Sequence, residues 1–160
     1  MGVSGCGKST VGRLLAEKLD AKFIDGDDLH PEENKAKMAA GIALNDEDRW
    51  PWLDKVGASL DENDKIVIAC SALKRKYRER ILGSASNSVF VHLDGSRDVL
   101  AERMTSRPNH FMPVSLLDSQ LATLEQLSPD EPGASYDIAE PVAQIVAQVI
   151  SDLPELRRKQ

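Results

Sequence analysis

The ten residues from Met1 to Thr10 read MGVSGCGKST. Gly2, Gly7, Lys8 and Ser9 fit the pattern G-x-x-x-x-G-K-[ST], and Gly5 adds a further residue without a Cβ. Backbone N–H groups converge on a phosphate only where the chain turns through conformations that side chains block. The glycines permit this, and a helix N-terminus behind them adds a favourable dipole. In such a loop Gly2, Val3, Ser4, Gly5, Cys6, Gly7, Lys8, Ser9 and Thr10 surround the phosphates of a nucleotide. Lys8 reaches the β- and γ-phosphates, and the Ser9 hydroxyl is a ligand for Mg2+. Cys6 stands at a variable position and reads as a small filler rather than a nucleophile.

Outward from the loop, the apolar spacing of Val11, Leu14, Leu15 and Leu19 predicts a helix over Thr10–Leu19. Lys22–Asp25 (KFID) reads as a strand ending in acid. Pro31 and two glutamates open a helix that lysines and Gly41 close. Asn45 caps another, in which Pro51 obscures the start of the regular part. The apolar run Lys65–Cys70 suits a strand covered on both faces. Lys74–Leu82 is helical, Val89–Leu93 a strand, Arg97–Arg107 and Leu116–Leu127 helices, SYDI a weak strand and VAQIVAQVI a closing helix. Strand and helix alternate, which predicts an α/β fold with a parallel sheet between helical layers.

A chain of 160 residues is the size of one domain, so residues 1–160 read as a single unit. The net charge of -6 disfavours a nucleic-acid partner, and a small solute is the better match. Two cysteines, Cys6 and Cys70, form neither a zinc pattern nor a disulfide framework. With no apolar run near the length of a membrane span and no signal-peptide core, the expectation is a cytoplasmic protein.

A phosphate loop does not by itself separate a kinase from a GTPase or a regulatory ATPase. Asp25 and Asp27 follow the second strand, and strand carboxyl ends face the ligand crevice of an open α/β sheet. One carboxylate there can accept the proton of an attacking hydroxyl while the other supports Mg2+; a solvated acidic turn is the plain alternative. No acid closes KIVIAC, so metal support falls to Asp25 or Asp27. Trp50 and Trp52 read mainly as packing.

The loop, FIDGDDLHPEEN (23–34), LNDEDRWPWL (44–53), ACSALKRKYR (69–78) and NHFMP (109–113) together closely resemble the gluconokinases, small P-loop kinases. The resemblance runs from Gly2 to about Leu153 and implies ATP-dependent phosphorylation of D-gluconate at its 6-hydroxyl. It implies a P-loop NTPase three-layer αβα sandwich, five parallel strands in the order 2-3-1-4-5, and a mobile lid at about 104–114. By that likeness Lys8, Asp27, Arg103 and Arg107 are catalytic, with Asp27 the candidate base, and Ser9 and Asp25 hold the metal. Asp27, His30, Arg49, Lys74 and His110 line the gluconate pocket. A homodimer is also implied.

Residue chemistry supports these roles unevenly. Arg49 offers a carboxylate two parallel hydrogen bonds, the favoured reading, with pairing to Asp46 or Asp48 as the alternative. His30 and His110 suit a polyol or a satisfied structural position. Arg103 and Arg107 share a helix face, which fits a phosphoryl clamp or a solvated helix end. Asn109 replaces the glycine usual in the family's lid. A related kinase acting on a shikimate-like acceptor is the competing activity.

The larger departure lies at the start. Gluconokinases carry an apolar strand ahead of the loop, central in that sheet order, whereas here Met1 alone precedes Gly2. Losing four buried apolar residues at roughly 1.5–3 kcal/mol each removes about 6–12 kcal/mol. A whole domain is stable by only about 5–15 kcal/mol. The expected explanations are a sequence that begins at an internal methionine, a truncated and catalytically weak nucleotide-binding isoform, or a strand supplied by a partner chain.

Overall fold

In the computed structural model, which describes residues 1–106 and 114–159, helix α1 (Lys8–Leu19) begins two residues before the predicted Thr10. The cause is Gly7, whose φ of 94° turns the loop directly into the helix. Lys8 and Ser9 therefore stand in the first turn, where free N–H groups and the dipole point at the loop.

Among the described residues, four short parallel strands follow the predicted order. Strand β1 (Lys22–Asp25) pairs with β2 (Ile66–Ala69), and β3 (Phe90–Asp94) pairs with β4 (Gly133–Asp137). Among the described residues, backbone hydrogen bonds of the first two residues bridge the two pairs. The Met1 amine donates to the Val91 carbonyl, Leu93 N–H donates to the Met1 carbonyl at 3.0 Å, and Gly2 N–H donates to the Ser71 carbonyl at 3.1 Å. Met1 thus sits opposite His92 as one rung of a parallel ladder. The spatial order agrees with 2-3-1-4-5, with the central strand reduced to that rung. Beside it lies an apolar slot of about 440 Å³ whose lining includes Ile66, Ile68, Val91, Leu93, Val11 and Leu15.

Helices cover both faces. On one, α1 and α7 (Val142–Leu156) pack together, and Val11, Leu15, Ile145, Val146 and Val149 join Leu93 in a core. α5 (Arg97–Thr105) and α6 (Val114–Thr123) extend that layer. On the other, α3 (Asp46–Asp61) packs on α4 (Arg75–Ser84), with Trp52, Leu53, Val56, Tyr77 and Ile81 around Phe90. α3 runs through Pro51 without a break. A capping box between Asn45 and Asp48 fixes its start, and the burial of Trp52 and Leu53 holds the next turn. The short α2 (Glu32–Ala39) begins after Pro31. No described helix is long and apolar enough to cross a membrane.

One buried ion pair locks the chain after β2. Arg78, fully buried, donates to Glu131 at 2.5 and 2.9 Å and to the carbonyls of Ala72 and Leu73 at 3.2 and 3.3 Å. Ala72 takes a φ of 43°, and these bonds help to hold that left-handed turn. Removing either partner strands a buried charge.

Candidate active site

The loop and the tip of β1 form one cluster. Gly2, Gly5 and Gly7 have φ values of 138°, 81° and 94°, which side-chain-bearing residues rarely adopt. Lys8 arches back over the loop and donates from Nζ to the Val3 carbonyl at 2.9 Å. Ser9 Oγ donates to Asp25 Oδ2 at 2.9 Å, and Asp25 Oδ1 accepts from the Asp27 N–H at 3.2 Å. The short 3₁₀ turn Gly26–Leu29, capped by Asp25, is what swings Asp27 to the same side. Gly26 is required there, because a Cβ would lie 2.5 Å from the Ala69 carbonyl oxygen. Desolvation, then the neighbouring Asp25 carboxylate, pushes the Asp27 pKa up, while the Lys8 ammonium pulls it down. The result is a carboxylate readier than usual to take a proton.

A second wall rises from α2 and α3. His30 is buried and stacks on Trp52 with ring centroids 4.2 Å apart. Trp52 is anchored in turn by Nε1 donating to the Gly26 carbonyl at 2.7 Å. Both tryptophans pack as predicted, Trp50 meeting Tyr77 edge-on. Asn34 Nδ2 lies 3.2 Å from His30 Nδ1 and 2.7 Å from the Asp48 carbonyl. An amide N–H facing that nitrogen makes Nδ1 the acceptor and leaves the ring proton on Nε2. Burial, then Arg49 and Lys35, depresses the His30 pKa to about 4, so the ring is neutral at pH 7.

Arg49 takes neither Asp46 nor Asp48 as a hydrogen-bonded side-chain partner. Its Nη1 donates to Tyr77 OH at 3.3 Å and its guanidinium lies over the Tyr77 ring at 5.6 Å. Asp46 is occupied by Lys76, Tyr77 and, at 3.3 Å, Lys74. The Lys76 and Tyr77 hydrogen bonds hold its pKa well below the carboxylate range. Asp48 is taken by Lys37 at 2.6 Å and by the capping box. Lys74 is therefore tethered to α3 rather than extended.

Arg103 Nη2 donates to the Ile138 carbonyl at 2.5 Å, and its Nη1 would lie 3.9 Å from a Cβ on Gly7, which places the guanidinium beside the loop. Arg107 and His110, with most of the lid expected at 104–114, lie outside the described residues. Thr10 is exposed, while Val3 and Cys6 are buried supports of the loop. Reading the sequence missed Asn34, Tyr77 and Gln120. Asn34 and Tyr77 stand inside quoted motifs; Gln120, whose Oε1 accepts from the Ser4 N–H at 2.6 Å, has no local signal.

Comparison with known proteins decides between the possible owners of such a cluster. A model of the shikimate kinase family matches residues 4–148. The thermosensitive gluconokinase of Escherichia coli K12 is 43% identical over 153 residues, spanning 92% of this chain and 82% of that protein. The chain belongs to the gluconokinase family. A second gluconokinase, from Gluconobacter oxydans, is 51% identical over 136 residues, covering 82% of this chain and 76% of its own. The crystal structure of a gluconokinase from Sinorhizobium meliloti 1021 superposes with a TM-score of 0.90 at 49% identity, over 99% of this chain and 91% of that one. The shikimate kinase of Aquifex aeolicus, at 19% identity and a TM-score of 0.61 over 97% and 94%, shares the P-loop kinase fold. This gluconokinase-family chain thus has the predicted fold class.

Proposed function

We propose that the chain transfers the γ-phosphoryl group of ATP to the 6-hydroxyl of D-gluconate, giving 6-phospho-D-gluconate and ADP. The observation that carries the proposal is the meeting of Lys8, Ser9, Asp25 and Asp27 at the strand tip beside a neutral His30, in a chain of this family. Loop amides and Lys8 hold the triphosphate, and Asp27 orients the acceptor hydroxyl and takes its proton as the oxygen attacks phosphorus. His30 Nε2–H donates to a sugar hydroxyl, and Arg49 with Lys74 forms the cationic side that receives the carboxylate. Arg103 lies where charge develops on the transferring group. Arg107 and His110 complete the constellation by family likeness.

The residues fit a magnesium ion. Ser9 Oγ and the Asp25 carboxylate are adjacent hard oxygen donors, and Mg2+ commonly takes one or two such groups with phosphates and water. When bound, it neutralises charge on the phosphate oxygens. A second reading, phosphorylation of a shikimate-like acceptor, is disfavoured by the 43% and 51% identities to gluconokinases. ADP release with MgATP and gluconate, shikimate, glucose or AMP separates them. Turnover with gluconate alone is expected; turnover with shikimate alone would refute the proposal.

A further inference from the structure

The amide of Ser4 belongs to the phosphate loop yet already has a partner 116 residues away, the Gln120 carboxamide oxygen at 2.6 Å. Because the backbone group can only donate, the oxygen of that side chain must face it, and the Nε2 donors are held on the opposite side of the same rigid plane. Gln120 is half-buried on α6. That helix is fixed at three further points. Asp118 accepts from Arg97 on α5 at 2.6 and 3.0 Å, Leu117 is fully buried, and the Glu125 N–H just beyond α6 donates to the Leu73 carbonyl at 2.8 Å. On its other side the loop rests on α5, where a Cβ on Gly5 would come within 2.8 Å of Met104 Cγ. The Ser4–Gly5 turn is thus gripped between Met104 and Gln120.

The residue type suits this place. Glutamine supplies an acceptor without charge, so it can steady a loop amide beside a triphosphate without repelling it. A glutamate would make the same bond to Ser4 and add a negative charge. Alanine would leave the Ser4 N–H without its partner and the turn free to move.

We propose that Gln120 is a positioning residue that holds the Ser4–Gly5 turn in its nucleotide-accepting shape and so couples α6 to ATP affinity. This inference rests on the reading of the loop as the ATP site, and it deepens that reading by making α6 part of the nucleotide machinery. Gln120 acts through the loop backbone.

The test compares wild type with Gln120→Ala and Gln120→Glu, measuring equilibrium binding of a non-hydrolysable ATP analogue by calorimetry, steady-state KM and kcat for both substrates, and Tm. Gln120→Ala is expected to weaken nucleotide binding by about five- to tenfold, the worth of one preorganising hydrogen bond, with the gluconate KM unchanged. Gln120→Glu is expected to keep the wild-type Tm yet weaken nucleotide binding by at least about tenfold, with the loss shrinking at high salt. Equal nucleotide affinity in all three proteins would overturn the proposal, as would tighter binding in Gln120→Ala, which would mean that the contact opposes ATP. If gluconate proves not to be the acceptor, the calorimetric arm still decides the role of Gln120, because it needs no turnover.

Discussion

Asp27→Asn is expected to lower turnover by at least about 100-fold, the usual minimum for losing a positioned general base, while ATP affinity stays within about twofold of wild type. The amide keeps the size of the side chain and can still hydrogen-bond a hydroxyl, but it cannot accept the proton. The same change should raise Tm at neutral pH. Asp27 has a folded pKa above its unfolded value of 3.8, so as pH climbs above 3.8 the folded state holds on to its proton longer and stability falls. Ionised Asp27 therefore works against the fold, weakly because the residue is exposed to screening solvent, and asparagine removes that opposition. In the wild-type enzyme, kcat/KM should decline on acidification at a higher pH than an ordinary aspartate would give. A variant that loses activity together with ATP affinity and Tm would point to a collapsed site instead of a missing base.

An added strand should have the largest effect on stability. Extending Met1 by five apolar, β-branched residues places a strand in the slot between β2 and β3, where Met1 already occupies one rung against His92. Burying four such side chains contributes about 6–12 kcal/mol before the cost of ordering the added residues. At about 2–4 °C per kcal/mol, a net gain of about 3 kcal/mol raises Tm by roughly 10 °C. Because the extension feeds directly into the phosphate loop, ATP affinity should rise with Tm. A Gly-Ser extension of the same length is the control, and equal Tm values for the two would show that the slot does not take a strand.

Much of this architecture was legible because local signals and tertiary demands agree. The loop glycines sit where positive φ is needed, Asn45 both looks like and acts as a cap, and KFID and KIVIAC pair as neighbouring parallel strands. Where the reading fell short, the deciding partner is distant in sequence. Nothing near Arg49 announces Tyr77, 28 residues on, as the group that receives its guanidinium. Lys74 looks free until α4 brings it against Asp46. Arg78 resembles a surface arginine of a helix, yet it is fully buried with Glu131 and the carbonyls of Ala72, Leu73, Glu125 and Gln126 as its partners. Ser4 offered only a loop amide, and its Gln120 partner arrives from another helix. Capping and period are written within a few residues, whereas ion pairs across the fold depend on packing.

The central claim is that Asp27 faces the acceptor oxygen at the mouth of a phosphate loop held by Lys8. A crystal structure with Mg2+, a non-hydrolysable ATP analogue and D-gluconate tests it most directly. The account predicts the gluconate 6-oxygen within about 2.6–3.2 Å of an Asp27 carboxylate oxygen and Lys8 Nζ on the β- and γ-phosphates. An Asp27 turned to solvent, with the 6-oxygen held by another group, would contradict it.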